Sequence, residues 1–176
     1  SSRDHAALLA IEKELSPLPV LRVDFPYRKA GKKFPDKAPV LVQCVKDEVR
    51  AFARELGCET TELVIGGRSM GGRMCTMASS DAEDQLSVAG VVCIGYPLHP
   101  PKKPEQLRTE HLPRLATKAL FISGTRDEFG NPEELANAFA LLPSPPAVHL
   151  IEGGRHELKG HDEHVATLLK VWLQTV

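Results

Sequence analysis

Short apolar runs alternate with helical periodicity along most of this chain, and that alternation constrains its fold more than any other feature. Runs rich in β-branched and other apolar residues predict strands at residues 20–25, 63–65, 88–94, 119–122 and 148–151. Apolar residues at helical spacing predict helices at residues 4–15, 40–56, 71–79, 132–142 and 164–175. A strand–helix–strand succession favours right-handed crossovers. The sequence therefore predicts an α/β fold, with a mostly parallel sheet flanked by helices on both faces.

Length and composition are those of a single globular domain. The 176 residues suffice to bury one core, and 42% hydrophobic with 26% charged residues is an ordinary balance. The formal net charge of −1 gives no electrostatic reason to expect a nucleic acid or membrane partner. No apolar stretch approaches the roughly 20 residues of a membrane-spanning helix. Four scattered cysteines favour a reducing, cytoplasmic compartment, although one disulfide is compatible with the sequence.

The most informative local motif is Gly67-Arg68-Ser69-Met70-Gly71, between a predicted strand and a predicted helix. G-x-S-x-G is the pattern of a nucleophile elbow, a sharp strand-to-helix turn that presents a serine. We expect glycines there because side chains two positions either side of Ser69 would collide. The serine oxygen would lie at a helix N-terminus, where N–H groups favour developing negative charge. The N–H of Met70 is the expected oxyanion donor.

The elbow motif also has explanations that involve no nucleophilic serine. A glycine-rich turn between a strand and a helix can be purely structural, so the motif alone does not decide the chemistry. A phosphate-binding P-loop is disfavoured because no Gly-Lys-Ser/Thr follows at the required spacing.

A serine hydroxyl needs a base to become a nucleophile, and the base needs an orienting acid. In folds built around this elbow, the acid and the histidine follow in that order on loops after later strands. Asp127 follows the predicted strand 119–122, and His156 follows the strand 148–151. The sequence therefore predicts a catalytic triad of Ser69, Asp127 and His156.

Each triad candidate also has a simpler interpretation. Asp127 could cap a turn or helix, with Glu128 as the substitute acid, and His156 could be a solvated loop histidine. A nearby group has spacing too irregular for metal ligands: His156, His161, Asp162 and His164. We therefore expect no metal and no cofactor.

Three segments resemble a known family: residues 66–72 (GGRSMGG), 94–100 (IGYPLHP) and 123–127 (SGTRD). They are similar to the α/β-hydrolase family of testis-expressed protein 30 and NSL complex subunit 3, with dienelactone-hydrolase-like proteins as broader relatives. The resemblance runs from about Val20 to the C-terminus. It implies a serine-hydrolase architecture with Ser69, Asp127 and His156 at the matching positions, and it supplies no substrate.

The resemblance also implies a strand that this sequence lacks. In that family the strand lies between those predicted at 20–25 and 63–65, and its loop donates the second oxyanion N–H. We expect either that N-terminal residues are missing from this single domain, 1–176, or that the two flanking strands pair directly. Absence of the loop would weaken transition-state stabilisation by about 3 kcal/mol.

Two functions follow from these residues. The first is hydrolysis of a small ester, thioester or similar acyl substrate, with Arg68 and Tyr96 beside Met70 in the oxyanion and substrate site. The loop at residues 96–103 would form part of the pocket wall, although a proline-rich connector explains it as well. The alternative is a catalytically weak member of the fold that serves as a binding or complex-assembly module. For either function we expect a cytoplasmic protein.

Overall fold

Four strands form a sheet in which every neighbouring pair is parallel, in the order β1-β2-β3-β4. A computed structural model describes residues 2–176 of the chain. The strands are β1 (Val64–Arg68), β2 (Gly90–Ile94), β3 (Ala119–Gly124) and β4 (Ala147–Ile151). Because strand order follows chain order, successive C-terminal strand ends lie side by side along one edge. The predicted α/β architecture is confirmed.

Helices connect the strands and flank the sheet. Within the described residues they are α1 (Ala6–Leu15), α2 (Pro26–Lys29), α3 (Ala38–Leu56), α4 (Met70–Ser79), α5 (Pro132–Phe139) and α6 (Asp162–Leu173). Single turns of 3₁₀ helix lie at Thr60–Glu62 and Leu112–Arg114. Helix α3 ends where Gly57 adopts the left-handed conformation, with φ 69°. Among residues 2–176, no helix combines the length and apolar character needed to cross a membrane.

The two central strands are buried on both faces, which explains their continuous apolar runs. Neighbouring side chains alternate between two cores: Cys93 packs with residues of α3, α4 and α5, whereas Val92 packs with residues of α1 and α6. On β3, Phe121 belongs to the same core as Cys93, and Leu120 belongs to the same core as Val92. The sheet is thus the middle layer of three, and its C-terminal edge is left for loops.

The predicted strand at residues 20–25 is wrong. This segment pairs with no strand, and the alternative of direct pairing with β1 does not form. Arg22 instead binds two carboxylates near the start of the chain: it lies 3.0 Å from Glu12 of α1 and 2.8 Å from Asp4, which precedes α1. Apolar, β-branched composition permits an extended backbone, but a strand also needs a neighbour that offers its hydrogen bonds. Directly after this segment the chain forms the short helix α2, Pro26–Lys29.

Candidate active site

Ser69 occupies the turn between β1 and α4 with φ 49° and ψ −122°. A non-glycine residue in such a sparsely populated region costs about 1–3 kcal/mol, so its surroundings must hold it there. The Ser69 N–H donates to the Ile94 carbonyl at 2.8 Å, and the Arg73 N–H donates to the Ser69 carbonyl at 3.1 Å. The backbone is thereby held on both sides while the half-buried side chain remains reachable.

Close packing of the elbow explains some of its glycines but not all. A Cβ on Gly67 would lie 2.7 Å from the Gly71 carbonyl carbon, and one on Gly72 would lie 2.6 Å from the Gly67 oxygen. A Cβ on Gly71 meets nothing within 4 Å. The expected collision two residues after the serine is therefore wrong. Gly72 makes the close contact instead, because α4 also approaches Cys93 of β2 there.

We expect Gly72→Ala to destabilise the fold and Gly71→Ala not to destabilise it. The first forces a methyl group against backbone and should lower the free energy of unfolding by about 1–3 kcal/mol. The second adds a methyl group in open space on a helix and should leave it unchanged or raise it by about 0.5–1 kcal/mol. Urea unfolding of the two variants measures the difference, and equal effects would contradict this packing.

Two glycines bring together the loops after β3 and β4. A Cβ on Gly124 would collide with the Gly154 carbonyl oxygen, so no larger residue fits at this crossing. The Arg126 N–H donates to the same Gly154 oxygen at 2.8 Å. These contacts place Asp127 and His156, each a few residues further along its loop, at one edge of the sheet.

The three side chains predicted as a triad form one hydrogen-bonded chain. The Nδ1 atom of His156 lies 3.0 Å from each carboxylate oxygen of Asp127, and its Nε2 atom lies 2.8 Å from Ser69 Oγ. A carboxylate only accepts hydrogen bonds, so Nδ1 carries the proton and Nε2 is free to accept from the hydroxyl. Asp127 also accepts the Phe129 N–H at 2.9 Å, which fixes its orientation.

The histidine is enclosed by residues that sequence reasoning missed. Asp127 and His156 are each 5% exposed. The Phe129 ring lies 4.1 Å from the imidazole, centroid to centroid, at 33°. Gly95, with φ 62°, passes so close that a Cβ there would lie 3.0 Å from the His156 carbonyl oxygen. Glu128, the substitute acid, is exposed, and Asp127 meets the imidazole. The sequence signal that could have identified Phe129 is its position two residues after Asp127, the predicted acid.

Arg68 and Tyr96 do not lie where a substrate site was predicted. The Arg68 side chain is 3% exposed, and its Nη2 donates to the Glu157 carboxylate at 3.1 Å and to the Glu157 carbonyl at 3.2 Å. It thereby joins the elbow to the residue after His156. The Tyr96 ring is 1% exposed in the core, and its hydroxyl donates to the Arg108 carbonyl at 2.9 Å. Both side chains support neighbouring loops.

The whole chain, residues 1–176, matches the family described as alpha/beta hydrolase domain. The chain belongs to this family.

Solved structures share the fold of this α/β-hydrolase at low sequence identity. An alpha-beta serine hydrolase homologue from Coxiella burnetii is 18% identical, with TM-score 0.77 over 98% of this chain and 78% of its own. The dienelactone hydrolase from Anabaena variabilis is 18% identical, with TM-score 0.76 over 99% of this chain and 81% of its own. An esterase domain from Rhodothermus marinus is 16% identical, with TM-score 0.71 over 99% and 81% respectively. The narrower resemblance to testis-expressed protein 30 and NSL complex subunit 3 stays a prediction.

The cysteines of this α/β-hydrolase are free thiols: Cys44, Cys58, Cys75 and Cys93. Burial raises the pKa of Cys75 to about 12, so this thiol stays protonated near neutral pH and is a poor nucleophile. Among residues 2–176, no three His, Cys, Asp or Glu side chains are grouped so as to hold a metal ion.

A buried polar network lies beside the elbow of the α/β-hydrolase. The Nε2 atom of His111 is 2.8 Å from Thr76 Oγ1 and 3.5 Å from the Tyr96 hydroxyl. Burial, followed by the positive charge of Arg73, lowers the pKa of His111 to about 4. This histidine is therefore neutral at pH 7, and its protonation is opposed by its surroundings.

Acid should destabilise the fold through His111. The pKa of this residue is below its ordinary value of 6.5, so its contribution to stability is complete above pH 6.5 and is lost as pH falls toward 4. That loss amounts to at most about 3 kcal/mol. We expect His111→Gln to flatten the pH dependence of the unfolding free energy between pH 6.5 and 4, measured in urea. Parallel curves for variant and wild type would contradict the assignment.

Proposed function

We propose that this α/β-hydrolase is a serine hydrolase of small ester or thioester substrates, with Ser69 as nucleophile, His156 as base and Asp127 as orienting acid. The supporting observation is the unbroken chain of hydrogen bonds from the Asp127 carboxylate through the imidazole to a reachable hydroxyl. A hydroxyl placed in this way can lose its proton as it attacks, which an isolated serine does poorly at neutral pH.

The reaction would proceed in two halves. As Ser69 Oγ attacks the carbonyl carbon, His156 Nε2 takes the hydroxyl proton, and the carboxylate of Asp127 stabilises the imidazolium that forms. The imidazolium then gives its proton to the leaving alcohol or thiol, which leaves an acyl group on Ser69. Water, deprotonated by the same nitrogen, releases the acid and restores the hydroxyl.

The oxyanion would form at the N-terminus of α4. Met70 is the first residue of that helix, so its N–H has no acceptor within the helix. The N–H and the helix dipole both favour negative charge at this point. One such donor, aimed at the oxyanion, contributes about 2.7–4 kcal/mol to transition-state stabilisation in comparable sites.

A fluorophosphonate probe tests the proposal directly. We expect the folded protein to be labelled and the heat-denatured protein not, with the adduct on the peptide that contains Ser69 by mass spectrometry. p-Nitrophenyl esters of increasing chain length would then define the size of the acyl pocket. If the folded protein is neither labelled nor able to cleave any of these esters, the hydrolase proposal fails, and the alternative of a binding or assembly module gains support.

A further inference from the structure

Arg73 is a partly buried cation that lacks a partner. Its side chain makes no hydrogen bond or ion pair with any residue from 2 to 176, and its Nε atom is fully buried without an acceptor. Two buried cations elsewhere have carboxylates: Lys46 lies 2.6 Å from Asp81, and Arg68 lies 3.1 Å from Glu157. Because removing a charge from water is costly unless an opposite charge replaces the water, Arg73 stands out.

Arg73 lies next to the nucleophile. It is four residues after Ser69, in the first turns of α4, and its N–H donates to the Ser69 carbonyl. The Cα–Cβ bonds of a helix tilt toward its N-terminus, so the Arg73 side chain leaves the backbone toward the Ser69 end of α4.

A second arginine, Arg108, lies at the same polar network and has no carboxylate partner among residues 2–176. Arg108 is half-buried; its Nη1 donates to the Pro97 carbonyl at 3.1 Å, and its carbonyl accepts the Tyr96 hydroxyl. The two arginines border one buried polar network: the Tyr96 hydroxyl, which donates to the Arg108 carbonyl, lies 3.5 Å from His111 Nε2, and that nitrogen lies 2.8 Å from the Thr76 hydroxyl, which donates to the Arg73 carbonyl at 2.7 Å. In keeping with this placement, burial and then the positive charge of Arg73 lower the pKa of Arg108. Within the described part of the chain, Arg108 also forms no ion pair with a carboxylate.

The neighbourhood contains little negative charge to offset these cations. Glu110 is the acidic residue whose charge reaches His111 and Tyr96, yet it is exposed and forms no ion pair with either arginine in the described structure. Two guanidiniums that border one polar network and have no carboxylate partner among residues 2–176 are suited to bind an oxyanion group, since each presents paired N–H donors to such a group.

We propose that Arg73 and Arg108 recognise an anionic group, a carboxylate or a phosphate, on the substrate that Ser69 attacks. The assignment of a substrate class rests on the proposed hydrolase function. The binding of an anion by the two arginines does not depend on that function. It makes the natural substrate an acidic ester or thioester, and it assigns to Arg73 the positioning of that substrate against the elbow.

Matched pairs of esters test this substrate class. On the acyl side, the mono-p-nitrophenyl ester of glutarate is compared with its methyl-capped diester. On the leaving-group side, 4-acetoxybenzoate is compared with its methyl ester. We expect one charged member to be preferred by about 10- to 100-fold in kcat/KM, mostly through a lower KM. A preference in neither pair would overturn the proposal.

Substitutions then assign the preference to the arginines. Arg73→Gln is expected to reduce the charged-to-neutral ratio of kcat/KM by about 10-fold or more, and Arg73→Lys by less, because lysine keeps the charge but not the paired donors. Arg108→Gln serves as the second variant if Arg73→Gln does not fold. The matched control is Arg54→Gln on the exposed face of α3, which should leave the ratio unchanged. A preference that survives in the Arg73→Gln/Arg108→Gln double variant would overturn the proposal.

Binding without turnover separates the two proposals. Calorimetric titration of the Ser69→Ala protein with glutarate and with inorganic phosphate is expected to show binding that Arg73→Gln weakens by about 10-fold or more. Cleavage of neutral esters without anion binding or preference would refute the anion site and leave the hydrolase intact. Anion binding that depends on Arg73, in a protein that cleaves no ester and takes no probe, would refute the hydrolase and leave the anion site.

Discussion

Replacing Ser69 by alanine should eliminate fluorophosphonate labelling and lower kcat for a reactive ester by about 10⁵- to 10⁶-fold. The reason is that the Oγ atom is the only part of the site proposed to bond to the acyl carbon, while His156 and Asp127 act through it. Steady-state kinetics with p-nitrophenyl butyrate measures the loss. We expect folding to persist, because alanine retains both backbone hydrogen bonds of residue 69, whose N–H donates to the Ile94 carbonyl and whose carbonyl accepts the Arg73 N–H.

The matched control is Ser144→Ala, which removes an exposed hydroxyl far along the chain. It should leave labelling and kcat within about twofold of the wild type, in line with the small effect of surface substitutions. If Ser69→Ala retains a folded structure and most of its esterase activity, another residue is the nucleophile and the proposed mechanism is wrong.

Asp127→Asn is expected to lower kcat by about 10⁴-fold while the fold and KM change little. The asparagine side chain fits the same space, but its amide can donate to His156 Nδ1. The imidazole is then stabilised with its proton on Nε2, where it faces Ser69 Oγ and cannot accept the hydroxyl proton. The measurement is kcat and KM for the same ester, with the melting temperature as the check on folding.

Glu128→Gln is the neighbouring control for the acid. Glu128 precedes Phe129 on the same loop and is exposed, whereas Asp127 contacts the imidazole through both carboxylate oxygens. The Glu128 variant should therefore retain activity within a few-fold of the wild type. A larger loss in Glu128→Gln than in Asp127→Asn would mean that the acid was assigned to the wrong residue.

Local residue patterns were sufficient to predict most of the elements. The period of the apolar residues distinguishes helix from strand because each backbone geometry repeats its exposed face at its own interval. The elbow could be predicted because a serine in the G-x-S-x-G pattern, between a predicted strand and a predicted helix, is typical of this turn. The order of Ser69, Asp127 and His156 was readable because each follows a strand, and parallel strands end at the same edge of the sheet.

Contacts between distant segments decided the rest. Residues 20–25 have the composition of a strand, but they pair with none, and Arg22 binds Glu12 of α1 and Asp4 just before it instead. Tyr96 follows a strand as a pocket residue would, yet its ring packs edge-on against Phe121 and Phe139 in the core. Whether a segment pairs as a strand, and whether a ring lines a pocket, depends on which residues lie next to it in space. Neither its own residue type nor its neighbours in the sequence determine that.

The sequence by itself thus determined the alternation of elements, the elbow and the candidate residues, because these follow from backbone preferences and side-chain chemistry that act over a few positions. Only the tertiary structure decided that Gly72, and not Gly71, meets a neighbouring backbone, and that Arg73 Nε is buried without an acceptor among residues 2–176. Steric fit and charge pairing are properties of three-dimensional neighbours. Both depend on how the loops after β2, β3 and β4 are positioned in the folded structure.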